Sequence, residues 1–228
     1  MFFFFFYNPY IAIIGDIKES RKIKDRKGTQ DKLLEVLNEI NEKYEKDISS
    51  KFMITLGDEF QGLLCNGTNV ISIIFDIERK MFPVKIRFGV GIGEITTDIN
   101  SEMAIGADGP GYYKARDSIK YLKENEQKNK TNSSNIRIDV DGDNENTTVM
   151  LNTILSLLTA IKELWTDRQR EIIWDMLAHQ DGQKNAAVRL NITQSAVQKS
   201  LANGKYYAYK EAIETIEKAL DEIRRKDV

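Results

Sequence analysis

The order of its apolar patterns is what most limits how this 228-residue chain can fold. In the first part, short β-rich runs such as YIAIIGD (10–16) alternate with stretches of helical spacing such as KLLEVLNEINEKY (32–44). The order β-α-β-β-α-β-α predicts an antiparallel sheet with helices on one face, a ferredoxin-like or palm-type layer. The next segment, IRIDVDGDNENTTVM (136–150), predicts two edge strands around an acidic turn.

From Leu151 onward, every apolar residue follows helical spacing, so the second part of the chain is predicted to be all-α. We therefore predict the α+β fold class and two domains, a palm-type domain at residues 1–150 and a helical domain at 151–228. The acidic turn has carboxylates at alternate positions but lacks the glycine and the bidentate glutamate of a calcium loop. It is predicted to be solvated; its acidic residues are Asp139, Asp141, Asp143 and Glu145.

Composition excludes several classes of protein. With 41% hydrophobic residues, 30% charged residues and a net charge of −2, the chain has no global field for nucleic acid or membranes, so any such signal must be local. One cysteine, Cys65, and one histidine, His179, exclude an internal disulfide framework and multi-histidine metal sites, which fits a reducing cytoplasm. The phenylalanine run at 2–6 is too short to span a bilayer and lacks a basic segment before it, so no membrane association is predicted.

Two carboxylates stand where strands of the predicted sheet end. Asp16 ends the first strand in IIGDI, and Asp58 is at a hairpin tip in ITLGDEF. If the hairpin pairs with the first strand, the two aspartates lie side by side, and such a pair repels unless a cation bridges it. Mg²⁺ prefers this arrangement. The alternative is structural: Asp16 caps a turn, Asp58 belongs to the hairpin, and Glu59 is expected on the opposite face of its strand from Asp58.

Four motifs, AIIGDI, ITLGDEF, RFGVGIGEI and DGPGYYKAR, resemble those of class III nucleotidyl cyclases in order and spacing. GGDEF domains share the palm fold, although the tetrad here lacks the first glycine. The resemblance implies Mg²⁺ at Asp16 and Asp58, a nucleoside triphosphate, and a catalytic role for Arg116 on the transferring phosphate. Tyr112 replaces the asparagine that the cyclases carry four residues earlier, which favours metal-dependent nucleotide binding over turnover. The predicted nucleotide-binding residues are Gly15, Ile17, Gly57, Gly91 and Arg116.

The stretch AAVRLNITQSAVQ (186–198) resembles the helix-turn-helix of sigma-factor region four. Thr166 and Thr193 are predicted helix caps, Asn191 a left-handed turn residue, and Val197 and Leu201 inward anchors. From Gly182 to Lys210 the chain has five basic residues and no acidic one, which suits phosphate contacts. A helical bundle used only for dimerisation is the alternative. The predicted DNA-binding residues are Lys184, Arg189, Gln194, Ser195, Gln198 and Lys199.

Both halves together resemble the bacterial SatD family over residues 10–210. The preferred hypothesis is a cytoplasmic transcriptional regulator, a homodimer whose cyclase-like domain binds metal and nucleotide and controls a DNA-binding domain. One alternative is an active Mg²⁺-dependent nucleotidyl cyclase or nucleotidyltransferase, and the other is a non-catalytic interaction scaffold.

Overall fold

The computed structural model describes residues 9–129, 134–142 and 145–223. The phenylalanine run and Asp143 lie outside these ranges. The strands are β1 (Tyr10–Ile17), β2 (Ile48–Leu56), β3 (Glu59–Leu64), β4 (Ile86–Gly93) and β5 (Ile136–Val140). The helices are α1 (Arg26–Lys43), α2 (Val70–Met81), α3 (Pro110–Asn129), α4 (Glu145–Glu163), α5 (Asp167–His179), α6 (Gln183–Arg189), α7 (Gln194–Asn203) and α8 (Tyr206–Asp221). None of the helices in the described ranges has the length and apolar character needed to cross a membrane.

The strands form one five-stranded sheet in the order β2-β3-β1-β4-β5. The strands β1 to β4 pair with one another in antiparallel fashion, as predicted, whereas β5 lies parallel to β4. The central strand β1 is buried on both faces because its side chains are almost all apolar and alternate between the faces. The α+β fold class is therefore confirmed, and its central strand ends at Asp16 and Ile17.

Helices cover both faces of the sheet, which corrects the prediction of helices on one face only. Helices α1, α2 and α4 contribute to one apolar core with Ile11 and Ile13, and α3 packs on the other face over Ala12 and Ile14. The α3 backbone lies so close to β4 that a Cβ atom at Gly91 would be 1.9 Å from the Gly111 carbonyl oxygen. Glycine in β4 thus makes room for a helix.

Strand β5 is followed by helix α4 and not by a second edge strand, so the predicted acidic hairpin is wrong. The β-branched run at 147–149 favours a strand locally, but Leu151, Leu155 and Leu158 continue at helical spacing and are buried. The Asn152 side chain then takes the place of a neighbouring strand. It accepts from the Ile138 amide at 2.9 Å and donates to the Ile138 carbonyl at 2.7 Å.

The helical part packs against the sheet part through a shared apolar core. Lys162 of α4 forms a buried ion pair with Glu78 of α2, with Nζ 2.5 Å from Oε1. At the end of α8, the Ile223 carbonyl accepts from the Gly67 amide at 3.1 Å, and Asp221 accepts from Thr68 Oγ1 at 2.8 Å. The boundary near residue 150 stays a prediction; α4 runs across that position.

Candidate functional site

The register of the sheet decides which residue faces Asp16. Gly57 and Asp58 form a two-residue turn between β2 and β3, and the positive φ of 59° at Gly57 suits a residue without a side chain. This turn length pairs Asp16 with Glu59, while the Asp58 carbonyl accepts from the Ile17 amide at 3.0 Å. The cross-strand neighbour of Asp16 is therefore Glu59, which the sequence had assigned a structural role, and Asp58 is one residue further along.

Asp16 is buried and holds a cation on each carboxylate oxygen. Its Oδ2 lies 2.7 Å from Arg87 Nη1, and its Oδ1 lies 2.7 Å from Lys123 Nζ. Arg87 is the register partner of Asp16 on β4 and also donates to Glu126 on α3, from Nη2 at 2.6 Å and Nε at 2.9 Å. Lys18 Nζ lies 3.6 Å from Glu126 Oε1. We call these five side chains the Asp16 cluster: Asp16, Lys18, Arg87, Lys123 and Glu126.

Burial shifts the pKa of one ionisable group in the cluster, Lys18, and of one beside it, Glu59. It lowers the pKa of Lys18 to about 8, because desolvation disfavours the ammonium more than the nearby Glu126 carboxylate favours it; Arg87 adds to the lowering. Burial also raises the pKa of Glu59, with the Asp16 and Asp58 carboxylates adding to the effect and Lys123 opposing it. The end of the sheet therefore concentrates charge in partly dehydrated surroundings, as functional sites often do.

An open cleft of about 560 Å³ lies over the Asp16 cluster. One wall is the short 3-10 turn after β1 (Ser20–Lys22), and Ser20 Oγ donates to Asp58 Oδ2. The opposite wall is the second half of α3. Asp16 and Asp58 thus line one cleft, although they are not cross-strand partners, with the following residues around them: Ile17, Glu19, Ser20, Arg21, Lys22, Arg87, Lys123, Glu126 and Gln127.

The residues in this arrangement do not fit a Mg²⁺ ion between Asp16 and Asp58. Both oxygens of Asp16 already contact cationic nitrogens, and Asp58 accepts from Ser20. Among the described residues, no group of three or more His, Cys, Asp or Glu side chains is placed to hold a metal. Mg²⁺ binds oxygens at about 2.0–2.1 Å, so an ion at Asp16 would have to displace Lys123 or Arg87. The metal role of Asp16 and Asp58 stays a prediction.

Three of the predicted nucleotide-binding residues lie in packed surroundings. Gly15 lies against the Phe60 ring, Gly91 lies against the α3 backbone, and the Ile17 side chain is in the apolar core. Gly57 is at the open hairpin tip, with nothing within 4 Å of the position that a Cβ would take. Packing therefore explains the glycines at positions 15 and 91, and of these three residues only Ile17 lines the cleft.

Arg116 and Tyr112 lie one turn apart on α3, with the Arg116 guanidinium over the Tyr112 ring at 5.8 Å from its centroid. Tyr112 is fully buried against the sheet; its hydroxyl has no hydrogen-bond partner among the described residues, and burial raises its pKa to about 12. Arg116 is half exposed, with Nη1 3.5 Å from Asp108 Oδ1. It lines a neighbouring hollow of about 310 Å³ with Glu59 and Lys123. Tyr112 thus adjoins Arg116 through its ring, while its hydroxyl is buried and cannot reach a ligand from the position of the cyclase asparagine.

In the helical part, α6 and α7 are joined by a short turn, as predicted. Asn191 has a φ of 51°, the Thr193 hydroxyl accepts from the Ala196 amide, and Val197 and Leu201 are buried. Thr166 caps α5 in a reciprocal capping box with Gln169. The other face of this pair of helices presents the following exposed side chains: Lys184, Gln194, Ser195, Gln198 and Lys199.

Arg189, predicted to contact DNA, is held by two carboxylates. Its guanidinium donates to both oxygens of Asp175, at 2.9 and 2.8 Å, and to Asp181 Oδ1 at 2.8 Å. These bonds join the end of α6 to α5 and raise the pKa of Arg189 further above its usual value. Arg189 therefore stabilises the helix pair and has few donors left for a phosphate.

The sequence patterns did not predict the cations and the two carboxylates around Asp16 as parts of the site. Lys123 follows Arg116 by seven residues, or about two helical turns, so both lie on one face of α3. That spacing alone predicts that Lys123 lies on the same side of the helix as Arg116. Arg87 becomes a partner of Asp16 only through the antiparallel pairing of β1 with β4, which no local pattern fixes. The residues missed are Lys18, Glu59, Arg87, Lys123 and Glu126.

The fold and site define a protein with a mixed five-stranded sheet, a charged cleft at the end of its central strand and a helical part in which a short turn joins α6 to α7. The SatD family model matches residues 10–219, so the chain belongs to the SatD family, as its motifs indicated.

Several solved structures are similar to this chain, two of them over about half of its length. The dimeric guanylyl cyclase domain of the RhoGC fusion protein from Blastocladiella emersonii is 17% identical, with a TM-score of 0.35 over 48% of this chain and 72% of that chain. The guanylate cyclase domain of RhGC from Catenaria anguillulae, in complex with GTP, is 16% identical, with a TM-score of 0.34 over 48% and 71%. A regulator of polyketide synthase expression from Bifidobacterium adolescentis is 11% identical, with a TM-score of 0.27 over 92% and 85%. No curated protein matches the chain.

Proposed function

We propose that the protein is a nucleotide-responsive DNA-binding regulator. In this proposal the cleft over the Asp16 cluster binds the phosphates of a nucleoside triphosphate, and helices α6 and α7 contact DNA. The single observation that carries the DNA-binding role is the division of α7 into two faces. Val197 and Leu201 are buried, whereas the residues predicted to reach base edges and phosphates, Gln194, Gln198 and Lys199 among them, are exposed.

The nucleotide role is supported by the cleft itself. Its volume of about 560 Å³ is in the range of small-molecule sites, and cationic side chains from β4 and α3 converge at its base. A triphosphate needs such donors, because dehydrating its charge without partners is costly. The predicted Mg²⁺ is left out of this proposal because the donor set does not fit it.

Catalytic turnover is also left out. A cyclase needs a second polar side chain beside the arginine that steadies the transferring phosphate, and Tyr112 is fully buried and does not line the cleft. Arg116 remains the predicted catalytic residue for the enzyme hypothesis. Incubation of the protein with labelled triphosphates and Mg²⁺ or Mn²⁺ is expected to give no cyclic product and no pyrophosphate.

DNA binding is tested by selecting fragments from a random duplex pool and measuring affinity by fluorescence anisotropy at several salt concentrations. We expect affinity to fall steeply with salt, because lysine contacts to phosphates release counterions. Lys199→Ala should weaken binding and reduce the salt slope by about one. Lys46→Ala removes the same charge from an exposed site after α1 and serves as the matched control.

Undetectable or salt-insensitive DNA binding would instead support the scaffold hypothesis. The regulatory link is tested with the same assay by adding ATP or GTP, which is expected to change the DNA affinity of the wild-type protein. The homodimer stays a prediction, and light scattering on the eluting protein with and without nucleotide measures it.

A further inference from the structure

We propose that Lys123 and Arg87 take the place of the divalent cation at Asp16, so that the cleft binds a polyphosphate anion without a metal ion. This inference rests on the proposed function for its ligand, although its central claim about Asp16 can be tested with a metal ion alone. The sites of Mg²⁺-dependent enzymes keep carboxylate oxygens open for the ion. Here both oxygens of the buried carboxylate are already neutralised by the chain itself.

The geometry of the ion pairs makes it unfavourable for a metal ion to displace Lys123 or Arg87 from Asp16. The two nitrogen–oxygen distances at Asp16 are both 2.7 Å, as expected for charge-assisted hydrogen bonds. Arg87 is held in place from its other side by Glu126, and its side chain is only 12% exposed. A metal ion at Asp16 would have to break one of these pairs and leave a cation without its partner in partly buried surroundings.

The positions of the cations favour an anion. The cleft lining has four cationic and four carboxylate side chains, but Asp16, Asp58 and Glu126 already accept from the chain's own donors, while Lys123 and Arg21 keep donors for a ligand. Lys123 reaches the cleft from α3 with 40% of its side chain exposed, and its ammonium has donors left beyond the bond to Asp16. Arg21 is exposed on the rim of the cleft, and its guanidinium pairs with no carboxylate among the described residues. A chain of phosphates could therefore contact Lys123 at the base and Arg21 at the rim.

Titration with Mn²⁺ alone, followed by the loss of the free-ion signal in electron paramagnetic resonance, tests the claim directly. The wild-type protein is expected to show no saturable binding. Lys123→Met frees Asp16 Oδ1 beside Asp58 and is expected to create a Mn²⁺ site. Lys123→Arg keeps a cation at that oxygen and is expected to behave as the wild type. Lys128→Met removes a lysine from an exposed position on the same helix and is the matched control.

Binding of GTP and of inorganic triphosphate, measured by calorimetry with EDTA and again with Mg²⁺, tests the ligand. The wild-type protein is expected to bind in EDTA, and Mg²⁺ should not strengthen binding. Lys123→Met is expected to lose about tenfold in affinity in EDTA, which corresponds to about 1.4 kcal/mol. Because the variant has gained a metal site, Mg²⁺ should restore part of that loss.

The possible results separate the two proposals. Saturable Mn²⁺ binding to the wild-type protein, or triphosphate binding that requires Mg²⁺, would overturn the inference while leaving nucleotide binding intact. Failure of every nucleotide and of triphosphate to bind in both buffers would overturn the nucleotide part of the proposed function. In that case the Mn²⁺ titrations of wild type and Lys123→Met still decide whether Lys123 excludes a metal from Asp16.

Discussion

The glycines at positions 91 and 57 have different surroundings, so replacing each with alanine should change the free energy of unfolding by different amounts. In Gly91→Ala, the new methyl group would lie 1.9 Å from the Gly111 carbonyl oxygen and 2.3 Å from the Ala115 amide nitrogen. We expect a loss of about 3 kcal/mol in the free energy of unfolding, because helix α3 must move off the sheet. In Gly57→Ala, only the positive φ opposes the change, and the expected loss is about 1 kcal/mol. Urea denaturation of both variants measures these losses.

If Gly91→Ala kept its stability and lost only nucleotide binding, Gly91 would contact the nucleotide, as the sequence predicted, and would not be needed for packing.

The Asp16 cluster shows which parts of the site local sequence patterns can predict and which they cannot. The sequence correctly placed Asp16 at a strand end and Asp58 at a hairpin tip, because glycine and turn chemistry are local. It paired Asp16 with the wrong carboxylate, because a shift of one residue in register changes every neighbour across a sheet.

Among the elements, α6 depends on Arg189 for its attachment to α5. Replacing Arg189 with Met removes its bonds to Asp175 and Asp181 and should lower the melting temperature. Lys199→Met, on the exposed face of α7, should leave the melting temperature unchanged and weaken DNA binding. Scanning calorimetry together with DNA anisotropy distinguishes the two roles; a stable Arg189→Met variant with lost DNA affinity would return Arg189 to the DNA-binding set.

Helix α8 carries a carboxylate, that of Glu217, whose burial in the ionised form destabilises the packing of α8 on α2. Glu217 faces α2, where it accepts from Ser72 Oγ at 3.4 Å, and burial raises its pKa above the ordinary 4.5. The folded state therefore holds this proton more tightly than the unfolded state, so stability falls as pH rises above about 4.5. We expect Glu217→Gln to be more stable than the wild type at pH 7 and to lose that advantage below pH 4.5. Urea titrations at both pH values measure the difference, and Glu211→Gln on the exposed face of α8 is the control.

Helical periods predicted α1, α2, α3 and the helices after residue 151 because buried residues recur every turn. The start of α4 could not be predicted in the same way. Its first turns read Thr-Thr-Val, a strand-like composition, and the helix is favoured there because Leu151, Leu155 and Asn152 find partners on β5 and in the core. Tertiary contacts decide such a segment, and local propensity does not.

For the whole molecule, the ion pair between Lys162 and Glu78 joins the helical part to the sheet part. Glu78→Gln leaves Lys162, whose side chain is 5% exposed, without its counter-charge, and we expect a loss of about 3 kcal/mol in the free energy of unfolding. Glu171→Gln, in the exposed pair with Arg168, should cost at most about 1 kcal/mol. Both halves should still unfold in one transition, monitored by circular dichroism and by tryptophan fluorescence. Two separate transitions in the wild-type protein would contradict the shared core.

The attachment of α8 to the loop before α2 also affects how the protein is made. Thr68 and Asp221, which are hydrogen-bonded, are 153 residues apart. At a synthesis rate of about 5–20 residues per second, roughly 8–30 s separate the appearance of one partner from that of the other. Later in that interval, once β5 has been made, the ribosome holds a nascent chain whose sheet strands are all present but whose α2 still lacks its cover from α8. The surface of α2 that α8 covers in the folded protein stays exposed until then, and we expect chaperones to bind it until α8 has been made.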